Sequence, residues 1–180
     1  TNKCQDKALR YMKINGLAEP LDLSAVTGRA STTGYDGDSE FECSDEDMNA
    51  IHNMIHKTVK ALTLGGYMVD CPHLEKLGYG GDGNASTPTF QTMFNVAPLY
   101  MNWLTAWSDS QREDGDMPHT APNPNHAGGA PFWCECRIIA SWQTYLNYGD
   151  TRMIRKFYPN MQRWLAFAES YMKDGLLTNW

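Results

Sequence analysis

From Met48 to Tyr171 the apolar residues return every three or four positions, a period that commits most of the chain to amphipathic helices packed on one another. Met48, Ile51, Ile55, Val59 and Leu62 predict a first helix that begins after Ser44 and stops at Gly65-Gly66. Ser44 with Asp47 three residues on gives a capping-box-like start, and Asp45 and Glu46 suit the positive end of a helix. A second helix is expected from near Ser86, with Pro88 in its first turn, where a missing N–H costs little. Phe90, Met93, Phe94, Ala97, Met101 and Leu104 form its apolar face, and Pro98 inside it is expected to kink it. A third covers about 132–148, with Trp133, Cys136, Ile139, Ala140 and Leu146 along one side. Gly149-Asp150 ends it and caps a fourth, which carries Met153, Phe157, Met161, Trp164 and Ala168 and a second internal proline, Pro159. A helix apolar on one face cannot bury that face alone. Four of them imply more of the same beyond Trp180.

Two long stretches interrupt the period. Asp70–Asn84 holds three carboxylates, Asp70, Glu75 and Asp82, together with Pro72, Tyr79 and four glycines. Glycine and proline break regular structure, so an irregular loop is expected here, set on a rigid helical scaffold. Residues 108–131 are rich in Asp, Pro, Gly and Asn and exceed the usual helix–helix connection. Residues 1–43 differ from both. Leu9, Tyr11 and Lys13 alternate with Arg10, Met12 and Ile14 before Asn15-Gly16, a strand-and-turn pattern, and residues 24–40 are loop-like in composition. This divides the chain into the end of a preceding β-rich domain with its linker, 1–43, and the start of a helical domain, 44–180. Thr1 opens without a basic-then-apolar leader, and the chain is expected to be part of something longer.

Charge and composition remove several functions. A net charge of −6 opposes binding to nucleic acid or to an anionic membrane, and no apolar run approaches the roughly 18 residues a span needs. Five cysteines without a C-x-x-C pair do not form a disulfide framework, and Cys134-x-Cys136 within a helix has poor geometry for bridging. His52 and His56 have the four-residue spacing of a two-histidine metal site, but Asn53 stands where the zincin pattern needs Glu. They are expected to flank the apolar stripe as partly buried residues, and no metal or cofactor is expected. No G-x-S-x-G elbow is present, and Gly78–Gly83 lacks the lysine of a phosphate loop. Carboxylates beside aromatics remain. Glycoside hydrolysis needs one carboxyl to protonate the leaving oxygen and a second to activate water or attack carbon. Glu75, between Asp70 and Asp82 and close to Tyr79, has suitable neighbours in sequence.

The run DCPHLEKLGYGGD resembles the signature of the α-L-rhamnosidases of glycoside hydrolase family 78, roughly D-C-P-x-R-(D)-E-[RK]-L-G-W-x-G-D. FECSD at 41–45, Q-x-x-D-G-x-x-P at 111–118, FWCE at 132–135 and Y-x-x-Y-G-D at 145–150 extend the likeness in the family's order. The resemblance implies a mainly α fold, the first part of an (α/α)6 toroid preceded by the tail of a β-sandwich domain. It also implies inverting removal of terminal α-L-rhamnose from glycosides or plant polysaccharides. By position Glu75 matches the general acid, Asp70 and Asp82 match acids that hold the rhamnose hydroxyls, and Tyr79 stands where the family usually has Trp. Trp133 matches a second aromatic of the sugar pocket, and Glu135 replaces the family's Asp. Leu74 replaces the usual Arg before the acid. The general base, a later Glu, is expected beyond residue 180, so the chain's partners are the rhamnose-containing substrate and the remainder of the same polypeptide. A secreted or periplasmic location fits a degrader of plant glycosides. Two other readings stand beside this one: an (α/α)6 hydrolase of a different sugar, and a non-catalytic carbohydrate-binding protein.

Overall fold

The computed structural model describes residues 8–34, 39–123, 128–178 and 180. Cys4, His126 and the first seven residues lie outside the described residues. Among those described, six α-helices dominate: α1 (Glu46–Leu62), α2 (Gly80–Met93), α3 (Ala97–Asp109), α4 (Pro131–Cys134), α5 (Cys136–Tyr148) and α6 (Arg152–Ser170). Two minimal antiparallel hairpins, β1 (Thr63–Leu64) with β2 (Tyr67–Met68) and β3 (Met172–Lys173) with β4 (Leu176–Leu177), follow α1 and α6. The mainly helical fold expected from the apolar period is the one observed.

Several boundaries move, each for a local reason. Asp45, not Ser44, caps α1: its Oδ1 accepts the N–H groups of Asp47 at 2.9 Å and Met48 at 3.2 Å. Cys43 and Asn49 exchange hydrogen bonds that fix the entry of the chain. The glycine-rich part of the expected loop is helical, because α2 starts at Gly80 rather than near Ser86 and Pro88 lies in its interior. Pro98 does not kink a long helix. The chain breaks at Phe94–Val96 and Pro98 sits in the first turn of α3, where its missing N–H costs nothing. The third expected helix divides at Glu135 into α4 and α5. Pro159 leaves α6 unbroken over 19 residues. The alternating residues near Leu9–Ile14 form no strand, since no neighbouring segment offers a ladder among the described residues, although Gly16 takes a left-handed turn conformation with φ of 81°.

The core lies between α2, α3, α5 and α6. Tyr100, Trp103 and Trp107 stack along α3 with ring centroids 5.9 and 6.4 Å apart, all three fully buried, and Met153, Phe157, Met161, Trp164 and Ala168 meet them from α6. The buried side of α5 is only partly the one expected, in Cys136 and Ala140. Cys136, Arg137, Ala140, Ser141 and Thr144 face inward, whereas Leu146 is exposed and Ile139 only half-buried. Small side chains are required because α2 approaches closely: a methyl group on Gly83 would stand 2.7 Å from the Trp103 ring and 2.8 Å from Cys136 Sγ. Gln91 secures this contact by donating to Ala140 O and to Thr144 Oγ1, and the Tyr148 hydroxyl donates to Gln91 O and Phe94 O. Of the expected stripe on α1 only Val59 is fully buried. Met48 and Ile51 are exposed.

Gly83→Ala separates the two forces at work on α2. Intrinsic helix propensity favours Ala over Gly by about 1 kcal/mol, whereas overpacking a filled interior costs about 1–3 kcal/mol. Packing is expected to win, with a lower melting temperature for Gly83→Ala than for the parent in thermal denaturation of the intact protein.

Candidate active site

The acidic segment is held from three sides. Asp70 closes it on itself, its N–H donating to Leu77 O at 3.0 Å and its Oδ1 accepting the Leu77 N–H at 2.9 Å. Within the loop the Glu75 N–H donates to Cys71 Sγ, and Lys76 adopts a left-handed φ of 56° that turns the chain back toward Leu77. Downstream, residues 78–80 pair with residues 119–121. Ala121 N–H donates to Gly78 O and Gly80 N–H to His119 O, both at 3.0 Å, and Tyr79 forms an antiparallel bridge with Thr120. The indole of Trp103 donates to Ala121 O at 2.7 Å, which connects this paired strip to the core.

The third side is α4. Asn84 Nδ2 donates to Phe132 O, and the indole of Trp133 lies against Gly81, where a methyl group would stand 2.7 Å from Cε2. Trp133 is therefore laid against Gly81 in the first turn of α2, the turn that also carries Asp82. The His119 ring is 5.8 Å from that of Trp133, and its Nε2 accepts the Ala130 N–H at 3.1 Å, which leaves the proton of the neutral ring on Nδ1. In sequence His119 is one of two histidines in the long loop of residues 108–131. Its role comes from contacts with Gly80 and Ala130, distant in the chain, and no local signal marks it.

The carboxylates form one electrostatic group. Partial burial of the carboxyl raises Asp82 above its ordinary value, and the charges of Asp70 and Glu75 raise it further, against its own backbone hydrogen bond. The Tyr79 hydroxyl donates to Glu75 Oε2 at 2.8 Å. That bond, with burial and the three neighbouring carboxylates, raises the Tyr79 phenol above the ordinary tyrosine value. Asp70, Glu75, Tyr79 and Asp82 are thus brought together, with Trp133 along the same turn. Glu135 stands apart at the α4–α5 junction, half-buried, its carboxyl raised by burial. Glu75 and Asp82 are exposed. The arrangement can offer a carboxyl group, hydrogen-bond acceptors for hydroxyls and an indole face for an apolar sugar surface.

The remaining candidates are structural. His52 and His56 are half-buried beside the α1 stripe, and their rings pack on Phe41 and Phe94 at 5.3 and 4.8 Å. Cys134 and Cys136 are buried free thiols whose pKa values burial pushes up to about 12, so both stay protonated at neutral pH and act by packing.

Residues 36–180 match the family model described as the bacterial alpha-L-rhamnosidase 6 hairpin glycosidase domain. An alpha-L-rhamnosidase of Streptomyces avermitilis is 29% identical over 170 residues, which cover 93% of this chain and 16% of that protein. The crystal structure of a Streptomyces avermitilis alpha-L-rhamnosidase complexed with L-rhamnose superposes with a TM-score of 0.76 at 26% identity, covering 79% of this chain and 14% of the other. An alpha-L-rhamnosidase structure from Dictyoglumus thermophilum gives 0.72 at 26% identity, with 79% and 16% covered. The chain spans about a sixth of the length of the curated relative it matches.

The hydrogen bond from Tyr79 to Glu75 has a direct spectroscopic consequence. The neutral phenol is the donor and the carboxylate charge opposes phenolate formation, so Tyr79 is expected to titrate above free tyrosine. Removing the acceptor in Glu75→Ala is expected to lower that titration. Carbon-13 NMR of ring-labelled tyrosine across alkaline pH reads both values, and an unchanged Tyr79 titration in Glu75→Ala would contradict the pairing.

Proposed function

The chain belongs to the six-hairpin bacterial alpha-L-rhamnosidases, and from that premise we propose that it supplies the acid half of an inverting glycosidase site acting on terminal α-L-rhamnose. The observation that carries the proposal is the convergence of Asp70, Glu75, Tyr79 and Asp82 on one anchored loop with Trp133 beside it. Glu75 is assigned as the general acid that protonates the glycosidic oxygen. Asp70 and Asp82 are assigned to the sugar hydroxyls, and Trp133 to an apolar face of the ring. Tyr79 is held by Glu75, so it serves the site through that carboxylate as well as through its ring. Glu135 is kept as a sugar-pocket residue on resemblance alone.

In an inverting mechanism the base and acid carboxyls stand about 6.5–9.5 Å apart to admit a water molecule. The base is assigned to a glutamate C-terminal to residue 180, within the same polypeptide. The exposed side of α1, with Met48, Ile51 and Met54, fits a helix that further hairpins cover. Residues 1–43 are assigned to the end of a preceding domain and its linker, the last part of which, from residue 36, the family match takes in. On this reading residues 1–180 alone hold an acid without its base and are inactive.

Release of chromophore from an aryl α-L-rhamnoside by the intact protein tests the assignment. Loss of a general acid costs about 10²–10⁴ in rate, and Glu75→Gln is expected to lose at least about a hundredfold in kcat while still binding rhamnose. Proton NMR of the first product formed is expected to show the anomer inverted from the substrate. Hydrolysis confined to another aryl glycoside would move the specificity, a reading that Leu74 and Tyr79 favour because both depart from the family's usual residues. Sugar binding without any hydrolysis would establish a binding protein instead.

A further inference from the structure

His119 lies on the middle one of three short backbone segments. On one side residues 119–121 pair with residues 78–80. On the other, Gly129 N–H donates to Met117 O at 2.8 Å, and Pro118 forms an antiparallel bridge with Gly128. The His119 carbonyl accepts the Gly80 N–H at the start of α2, while its Nε2 accepts the Ala130 N–H at the start of α4. Ala130 is the N-cap of α4 and offers no capping side chain. Its carbonyl accepts the N–H groups of Trp133 at 3.0 Å and Cys134 at 3.1 Å. One imidazole thus holds the peptide on which the turn carrying Trp133 is built, and its ring lies 5.8 Å from the Trp133 ring.

This hold exists in one protonation state only. A neutral imidazole with its proton on Nδ1 presents a lone pair at Nε2, whereas an imidazolium has a donor on both nitrogens. Protonation sets an N–H against the Ala130 N–H, and one of the two groups must turn away. Histidine is the side chain that, left to itself, changes charge between about pH 5 and pH 8. Around the space of about 310 Å³ that His119 lines, the other titratable groups are Asp116 and Tyr171. The Asp116 carboxylate is already engaged, by Arg112 at 2.5 Å and by the Met117 N–H at 2.7 Å. A tyrosine phenol carries no charge in acid. From the α2 side Tyr79 is tied to Glu75, and α4 brings the protonated Cys134 and, at its far end, Glu135. Among the described residues His119 is the group of this junction whose protonation removes a hydrogen-bond acceptor from α4.

Resting on the reading of Trp133 as a wall of the sugar site, we propose that His119 is a positioning residue whose neutral form keeps α4 and Trp133 in the sugar-binding place. Acid then weakens sugar binding through His119, separately from any effect on the carboxylates. His119 acts through Trp133 and not on the reacting bond, so binding changes while the chemical step does not.

KM and kcat for an aryl α-L-rhamnoside, measured from neutral to acid pH in the intact protein, His119→Gln and His119→Leu, test this. The Gln amide oxygen can accept the Ala130 N–H and does not titrate; Leu offers no acceptor. Loss of the hydrogen bond is expected to raise KM about three- to tenfold. His119→Leu should show that rise at every pH, with kcat close to the parent's. His119→Gln should keep the parent's neutral KM, and its rise in acid should be smaller than the parent's by the same factor. An equal acid rise in the parent and His119→Gln, an unchanged KM in His119→Leu, or a loss confined to kcat would overturn the proposal. Nitrogen-15 NMR of the ligand-free protein gives a readout that needs no turnover. Neutral His119 is expected to be unprotonated at Nε2, and the Ala130 amide and the Trp133 indole N–H should shift at the midpoint of the His119 titration. A proton on Nε2, or a Trp133 indole unmoved through that titration, would equally overturn it. If no rhamnoside is hydrolysed, the catalytic reading fails alone, and the NMR titration still decides whether His119 sets Trp133.

Discussion

The hydrogen bond from the Trp103 indole to Ala121 O is the constraint on which the acidic loop depends. Trp103 is fully buried among Tyr100 and Trp107, so its N–H needs an acceptor, and in the interior an unmet donor costs about 1–3 kcal/mol. The acceptor is a backbone carbonyl from the long connection after α3. Once Ala121 is held, its N–H engages Gly78 and the neighbouring His119 carbonyl engages Gly80. A single aromatic residue of the core thereby sets the level at which Tyr79 and Glu75 emerge. The chemistry-bearing side chains sit on a loop, but the loop is referenced to the most rigid part of the molecule, as a preorganised site requires.

Close backbone approach is the second condition. Gly81 and Gly83 stand where side chains would strike Trp133, Trp103 and Cys136. Their absence of side chains lets α2 lie against α4 and α5, which in turn lays Trp133 against Gly81. The small inward residues of α5 are the other half of this fit. A helix with glycines in its first turn is poor by propensity; tertiary packing sustains it, and Asn84 and Gln91 add polar ties to α4 and α5. The acidic group and the core packing share one arrangement, since the same turn of α2 carries Asp82 and buries Gly83.

Charge is distributed as unevenly as packing. The acids collect on the outer side of the 70–82 segment, where they raise the Asp82 carboxyl and the Tyr79 phenol. Arg29, Lys57 and Lys60 line a separate cavity between residues 29–32 and α1.

The sequence by itself determined the helical class, the approximate position of the first and last long helices, and the membership of Glu75, Asp70 and Asp82 in one acidic group, because apolar period and motif spacing are local properties. Tertiary structure alone decided that the glycine run is helix rather than loop, that Pro98 starts a helix rather than bending one, and that His119 and Trp103 support the site. The reason in each case is contact between residues far apart in the chain. Glycine reads as a breaker in isolation, and only the nearness of Trp133 and Cys136 turns it into a requirement. An apolar period likewise marks a face without naming what will cover it, which is why the buried side of α5 is made of Cys136, Ala140 and Thr144 rather than of its larger apolar residues.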